Sequence, residues 1–243
     1  MGGGGWVPLP RRGFDDRMTR GGPGVVSEGG PEHWIWINSD NRRRFSAGLE
    51  GDWGGDNHNT SWRSLSPSIT VRPIPAVMFS IGVDYNRSRQ DSQWVTSITD
   101  TATHYVFAHI DQTTVNMTGR FNYTITPNLS LQMYAQPFVS AGAYNAFKEV
   151  NDPLSESYEN RYKPFDYSSA LYGSPDFNVK SFRTTNVLRW EYKPGSTLFV
   201  VWQQARANFA VPGGFDFGRD VHGIFSAAPQ NVFLVKLSYW LSY

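Results

Sequence analysis

The sequence has no cysteine among its 243 residues, so disulfide frameworks and thiol chemistry are excluded. It has no run of ~18 apolar residues, which excludes a transmembrane helix. An excess of charge is also lacking. Net charge is +1 and charged residues make up 18%, so no global field favours nucleic acid. Nor is a secretory signal visible: Met1 leads into Gly2 to Gly5, then Trp6 and Pro8, with no basic start and no apolar core.

What the chain does have is aromatic residues, 15% of the total, gathered in short apolar segments. Its mean hydropathy, −0.44, is that of a soluble protein. A membrane β-barrel can share that value, because only alternate residues of each strand meet lipid.

Residues 1–32 are rich in Gly, Pro and Arg and read as a loop or disordered start. From Trp34 onward the pattern has period two, and helical periodicity is nowhere sustained. The clearest strand is the last. Phe233, Val235, Leu237, Tyr239, Leu241 and Tyr243 share one face, with Lys236, Ser238 and Ser242 opposite and Trp240 an exception. Upstream, Val77, Phe79, Ile81, Val83 and Tyr85 alternate with Ser80, Gly82, Asp84 and Asn86. Val115, Met117, Gly119, Phe121, Tyr123 and Ile125 alternate with Asn116, Thr118, Arg120, Asn122 and Thr124. Phe182, Leu188, Trp190 and Tyr192 alternate with Arg183, Arg189 and Glu191. Weaker versions recur around Phe45, Leu65, Leu129 and Leu198.

Such alternation also fits a soluble sandwich. Polar and charged residues in mid-strand favour a lumen, with Asp84, Arg120, Arg183, Arg189 and Glu191 as its candidates. Connection lengths alternate as well. Arg72 to Pro75, Thr126 to Asn128 and Lys193 to Ser196 are short and carry turn residues. Gly54 to Asn59, Ile98 to Thr103, 148–180 and 208–230 read as longer loops. His104 to Ile125 is read as one long strand that outruns the ~9–11 residues needed to cross a bilayer.

The expected fold is therefore an all-β, antiparallel, up-and-down transmembrane β-barrel over residues 33–243, of about eight to ten strands, with a long outer loop at 148–180. The strands counted are nine, and bacterial single-chain barrels usually have an even number. At least one strand is expected to be missing, the chain then being part of a larger barrel; the absent export signal points the same way.

The final strand resembles the terminal assembly signal of outer-membrane barrels, carried here by Val235, Leu237, Tyr239, Leu241 and Tyr243. That implies recognition of segment 231–243 by the barrel-assembly machinery. A wider resemblance rests on Thr19-Arg20-Gly21-Gly22-Pro23, Phe121 to Gln132, Tyr134-Ala135-Gln136-Pro137-Phe138, and Val187 to Ser196. These stretches look like the carboxy-terminal barrel of a family of bacterial proteins whose amino-terminal part resembles a family 9 carbohydrate-binding module. The resemblance implies an outer-membrane barrel tied to a glycan-binding domain that this chain lacks. It supplies no catalytic residues.

No active site, cofactor site or metal site is expected. His109 and Asp111 sit two apart and share a strand face, but no third ligand or nucleophile is tied to them by spacing. They read as polar residues of an extended strand. Gly2 to Gly5 and Gly213-Gly214 lack the context of a phosphate loop. Arg42, Arg43 and Arg44 either bind anionic headgroups or flank a solvated turn, the second being preferred. The lumen arginines either draw anions through a pore or pair with Asp84, Glu50 or Glu191. Tyr123, Trp190, Tyr192, Tyr239 and Tyr243 lie at the turn-side ends of strands and read as an interfacial girdle. Trp34, Trp36, Trp53, Trp62 and Trp94 stay open between such a belt and a sugar-stacking surface. The aromatic loop 148–180 folds over the mouth, binds a ligand or moves freely.

The expected role is a passive pore, or an anchor for the missing domain, in the cell outer membrane of a Gram-negative-type bacterium. Its expected partners are outer-membrane lipid, the assembly machinery and glycans. The alternative is a soluble all-β carbohydrate-binding module. A membrane-embedded hydrolase would need Ser and His paired at one strand level, which no spacing demands.

Overall fold

The computed structural model describes residues 1–8, 12–209 and 213–241. Its strands are β1 (Gly2–Pro8), β2 (Arg12–Asp15), β3 (Val25–Glu28), β4 (Pro31–Asn38), β5 (Phe45–Gly55), β6 (Ser61–Val71), β7 (Val77–Thr99), β8 (Thr103–Thr126), β9 (Leu129–Val150), β10 (Tyr162–Pro164), β11 (Phe177–Lys193), β12 (Ser196–Asn208) and β13 (Gln230–Ser238). Three helices interrupt them: α1 (Tyr158–Arg161), α2 (Ser169–Tyr172) and α3 (Phe217–Ser226).

The protein is all-β and antiparallel. One sheet runs in the order β1-β4-β5-β6-β7-β8-β9-β11-β12-β13, with β10 added beside β9; β2 and β3 form a separate hairpin. Among the described residues β1 and β13 do not pair with each other, and the sheet is open. The period-two segments all became strands, and β8 is one unbroken element through Asp111 and Gln112.

Directly opposed residues share a face. One row therefore crosses the sheet as Phe45, Val71, Phe79, Phe121, Met133, Asn186, Trp202 and Phe233. Parallel rows add Ile35, Ile37, Leu49, Leu65, Ile69, Ile81, Val200, Val235 and Leu237. All nine of these are exposed; Val235 reaches 71% and Phe233 69%. The opposite, polar face carries Ser80, Asp84, Asn116, Arg120, Gln136 and Arg183. A second layer meets the apolar face only at its loop-rich end. There Phe107 packs under Val25 and Tyr162, and α3 sits on β11 and β12, with Phe225 against Phe182 at 5.5 Å.

Several expectations need correction. Residues 1–32 are not all loop: Gly2–Pro8 is a strand in register with β4, and β2 and β3 pair. Its glycines hid the period. Two of them make room for tryptophans that lie across them on the polar face: a Cβ on Gly5 would sit 2.6 Å from the Trp34 ring, and one on Gly3 3.0 Å from Trp36. Aromatic cover over a strand glycine is a known way to stabilise such a pair. With β1 the path holds ten strands, so the odd count that implied a missing strand does not stand. Segment 208–230 holds α3, capped by Asp216, whose carboxylate accepts from the Arg219 amide at 2.8 Å. The connection after β7 is a tight turn over 100–102. The last strand stops at Ser238, opposite Thr197, because β12 begins at Ser196 and offers no further partner. The Trp240 amide turns instead to the Ser196 hydroxyl at 3.0 Å. Tyr243 lies outside the described residues.

A Gly5→Val change should cost about 1–3 kcal/mol by overpacking against Trp34. The urea midpoint should fall, and adding Trp34→Ala should recover most of the loss. An unchanged midpoint in the single variant would contradict the packing.

Candidate functional site

The densest polar cluster sits where β7, β8 and β9 outrun the apolar rows. Bulges aim it. β7 carries an extra residue between Gln90 and Gln93, and β9 another between Asn145 and Lys148, where Ala146 takes a left-handed φ of 50°. Such insertions redirect side chains locally. Here they bring Asp91, His109 and Lys148 to one point.

Asp91 is the hub. Lys148 Nζ and the Tyr158 hydroxyl both donate to Oδ2 at 2.5 Å, and His109 Nδ1 lies 3.2 Å from Oδ1. Lys148 also donates to the Tyr158 oxygen at 2.9 Å, and Ser92 completes that hydroxyl at 2.6 Å. Burial alone would raise the Asp91 pKa, but the bonds from Lys148, Tyr158 and His109 outweigh it and hold the carboxyl below its usual range. Burial first, and the adjacent Asp91 second, push the Tyr158 phenol well up, so it stays protonated. His58 stacks on Tyr158 at 4.3 Å.

Tyr158 belongs to the loop after β9, so Asp91 ties that loop to the sheet. Arg161, 0% exposed, ties it to the amino-terminal hairpin. Its guanidinium donates to the carbonyls of Val26 (2.9 Å), Ser155 (2.6 Å) and Glu156 (3.0 Å) and meets Glu28 at 2.8 Å. The loop aromatics are placed by the same fold-back: Tyr167 stacks on Phe147 at 4.3 Å, while Tyr172 leans against Tyr167 and Phe165 against His104 with tilted rings. The loop lies along β9.

His109 and Asp111 do meet, with Nε2 3.6 Å from Oδ2, while Arg89 takes Asp111 at 2.8 Å. A cleft of about 600 Å³ opens beside them, lined also by Asn57, Asn59 and Asn145. Among the described residues no three His, Asp or Glu side chains converge as a metal site. Ser92 bonds Tyr158 rather than His109, so the cluster has no hydroxyl–imidazole pair. Its bonds latch Tyr158, and with it the loop after β9, to the sheet.

Asp84, Arg120, Arg183, Arg189 and Glu191 share the polar face but do not form one site. Asn116 donates to Asp84 at 3.1 Å, Arg120 lies over Tyr134, and Arg189 pairs with Glu191 at 2.9 Å. Tyr123, Trp190, Tyr192 and Tyr239 gather at the turn-rich end: Trp190 and Tyr192 meet edge-on at 6.1 Å, and Lys193 covers Tyr239. The five tryptophans divide. Trp34, Trp36 and Trp62 lie on the polar face, Trp53 stacks on His33 on the apolar one, and Trp94 lies under the Arg20 guanidinium at 4.1 Å.

Fold and side-chain layout together define an all-β protein built on a single antiparallel meander with unlike faces. Residues 14–243 match a family described as a domain of unknown function, DUF5916. The chain belongs to that family. No curated protein and no solved structure matches the chain.

Asp91→Asn should weaken the latch by about 1.5–3 kcal/mol, the usual worth of hydrogen bonds to a charged group. Limited proteolysis should then cut within 151–161 sooner; unchanged protection would contradict the hub role. His104 supplies a pH test. Its bonds to Glu149, and secondarily to Asp100, hold the imidazole pKa above its usual value. Glu149 is raised by burial but lowered more by His104 and Lys163, and ends below its usual value. The histidine's contribution is full below pH ~6.5 and is lost as pH rises through the raised value. The Glu149 contribution is present above ~4.5 and is lost as pH falls. Hydrogen exchange near Thr103–His104 should quicken from pH 6 to pH 9 beyond the intrinsic base effect, and His104→Gln should abolish that excess.

Proposed function

We propose that this chain is a transmembrane β-barrel, or a part of one, in a Gram-negative-type outer membrane. One observation carries the reading: the uncovered apolar face. On β7 it runs through Val77, Phe79, Ile81, Val83 and Tyr85. That nine-residue stretch matches the ~9–11 residues of a membrane strand. On β8 the matching stretch is Met117 to Ile125, and on β9 Leu129 to Pro137, with Val115 and Val139 already buried where the loop-rich end begins. Soluble monomers rarely expose apolar patches beyond a few hundred Å². Aromatics at the turn-rich end fit an interfacial girdle.

The role is passive: a porin-like passage lined by the polar face, or an anchor for a glycan-binding domain, with no catalysis. Contact with the assembly machinery through segment 231–243 and a link to glycans follow from the resemblances above. The soluble carbohydrate-module alternative would need the apolar face covered by something else.

Purified protein should disperse only in detergent, and a stable monomer in plain buffer would overturn the membrane reading. Within lipid, Ile81→Arg at mid-belt should cost about 2–4 kcal/mol, whereas Ser80→Arg on the polar face should cost under ~1 kcal/mol. Equal costs, read from urea unfolding in vesicles, would contradict the assigned faces.

A further inference from the structure

Immediately beyond the apolar rows, toward the loop-rich end, the same face turns basic. On β6 the exposed positions run Ile69, Leu65, then Arg63. On β7 the apolar run ends at Tyr85 and is followed by Arg87 and Arg89. Register sets Trp53, Arg63 and Arg87 directly opposite one another on three adjacent strands, and Arg89 opposite Ser61 one step further. Like charges opposed across strands repel unless an anion lies between them. Among the described residues Arg63 and Arg87 have no ion pair, and Arg89 has only Asp111. A surface cleft of about 400 Å³ is lined by Trp53, Ser61 and the three arginines.

We propose that this cleft binds the phosphate of an anionic lipid whose acyl chains lie on the rows below. The proposal rests on the membrane reading above and names the lipid class. Three features commit it to a lipid rather than a free anion. The arginines sit on the outward apolar face, not on the polar face or in a loop. They begin one step past the last aliphatic or aromatic residue, where headgroups would lie. Trp53 stacks on His33 at 5.6 Å beside them, an amphipathic ring at the level such rings prefer. Basic residues at this depth draw anionic lipid, each with a modest gain.

The test is native mass spectrometry of the detergent-solubilised protein with phosphatidylglycerol, phosphatidylcholine or inorganic phosphate. The wild-type protein should retain phosphatidylglycerol over phosphatidylcholine by about tenfold. Arg63→Gln with Arg87→Gln should abolish the preference, while Arg42→Gln, Arg43→Gln and Arg44→Gln together, at the opposite end of the strands, should preserve it. Far-ultraviolet circular dichroism confirms that each variant is folded. Equal retention of both lipids by the wild-type protein, or an unchanged preference in the double variant, would overturn the site. So would inorganic phosphate competing as well as the lipid headgroup, which would mark an anion site only. Failure of the membrane reading shows separately, as solubility without detergent.

Discussion

Everything in this structure depends on the strict side-chain period of a paired strand. Antiparallel pairing places opposed residues on one face, and here ten strands keep that register with few slips. The result is two surfaces of opposite character made by one layer. The polar surface satisfies itself by short-range bonds such as Asn116 to Asp84 and Gln136 to Asn116. The apolar surface is left without a partner over most of its extent. Strand backbone in hydrocarbon must have every amide paired, which a continuous ladder supplies except at its two edges.

The loop-rich end obeys a different rule. Where the apolar rows stop, Phe107 is fully buried beneath Val25 of the hairpin β2–β3 and Tyr162 of β10. That cap is held by charge: Arg161 at Glu28, Lys148 at Asp91 and Asp220 between Arg219 and Lys180. Asp220 and Arg161 are completely buried, and removing one partner of such a pair is far costlier than the pair is worth. These pairs set the position of the loops against the sheet, and bulges at Asp91 and Ala146 supply the geometry.

Much of the sheet was legible because alternation survives in sequence. Of the nine strands from β4 to β13, β10 aside, eight contain a period-two segment, β4 showing only a start near His33, while β7 and β9 run well past the segments that alternate; the turns at Pro127 and Gly195 carry the residues such turns need. β1 was not legible, since Gly2 to Gly5 have no side chains to alternate; at Gly3 and Gly5 the reason is the rings of Trp36 and Trp34 on the neighbouring strand. α3 was missed because it is only ten residues long, though Phe217, Val221 and Ile224 keep helical spacing behind the Asp216 cap and were a usable signal. Of the polar cluster, only His109 and Asp111 were visible as a pair. Asp91 lies far in sequence from Lys148 and Tyr158, the three come from three different elements, and the bulges that join them break the very period used to read strands.

Because the chain contains no cysteine, single cysteines can be introduced without background. The most direct measurement is a scan of β7 from Val77 to Tyr85 with an environment-sensitive probe in lipid vesicles. Val77, Phe79, Ile81, Val83 and Tyr85 should report hydrocarbon, and Met78, Ser80, Gly82 and Asp84 should report water or polar protein. A probe signal that is uniform along the strand, or aqueous at every odd position, would contradict the two-faced sheet in a membrane.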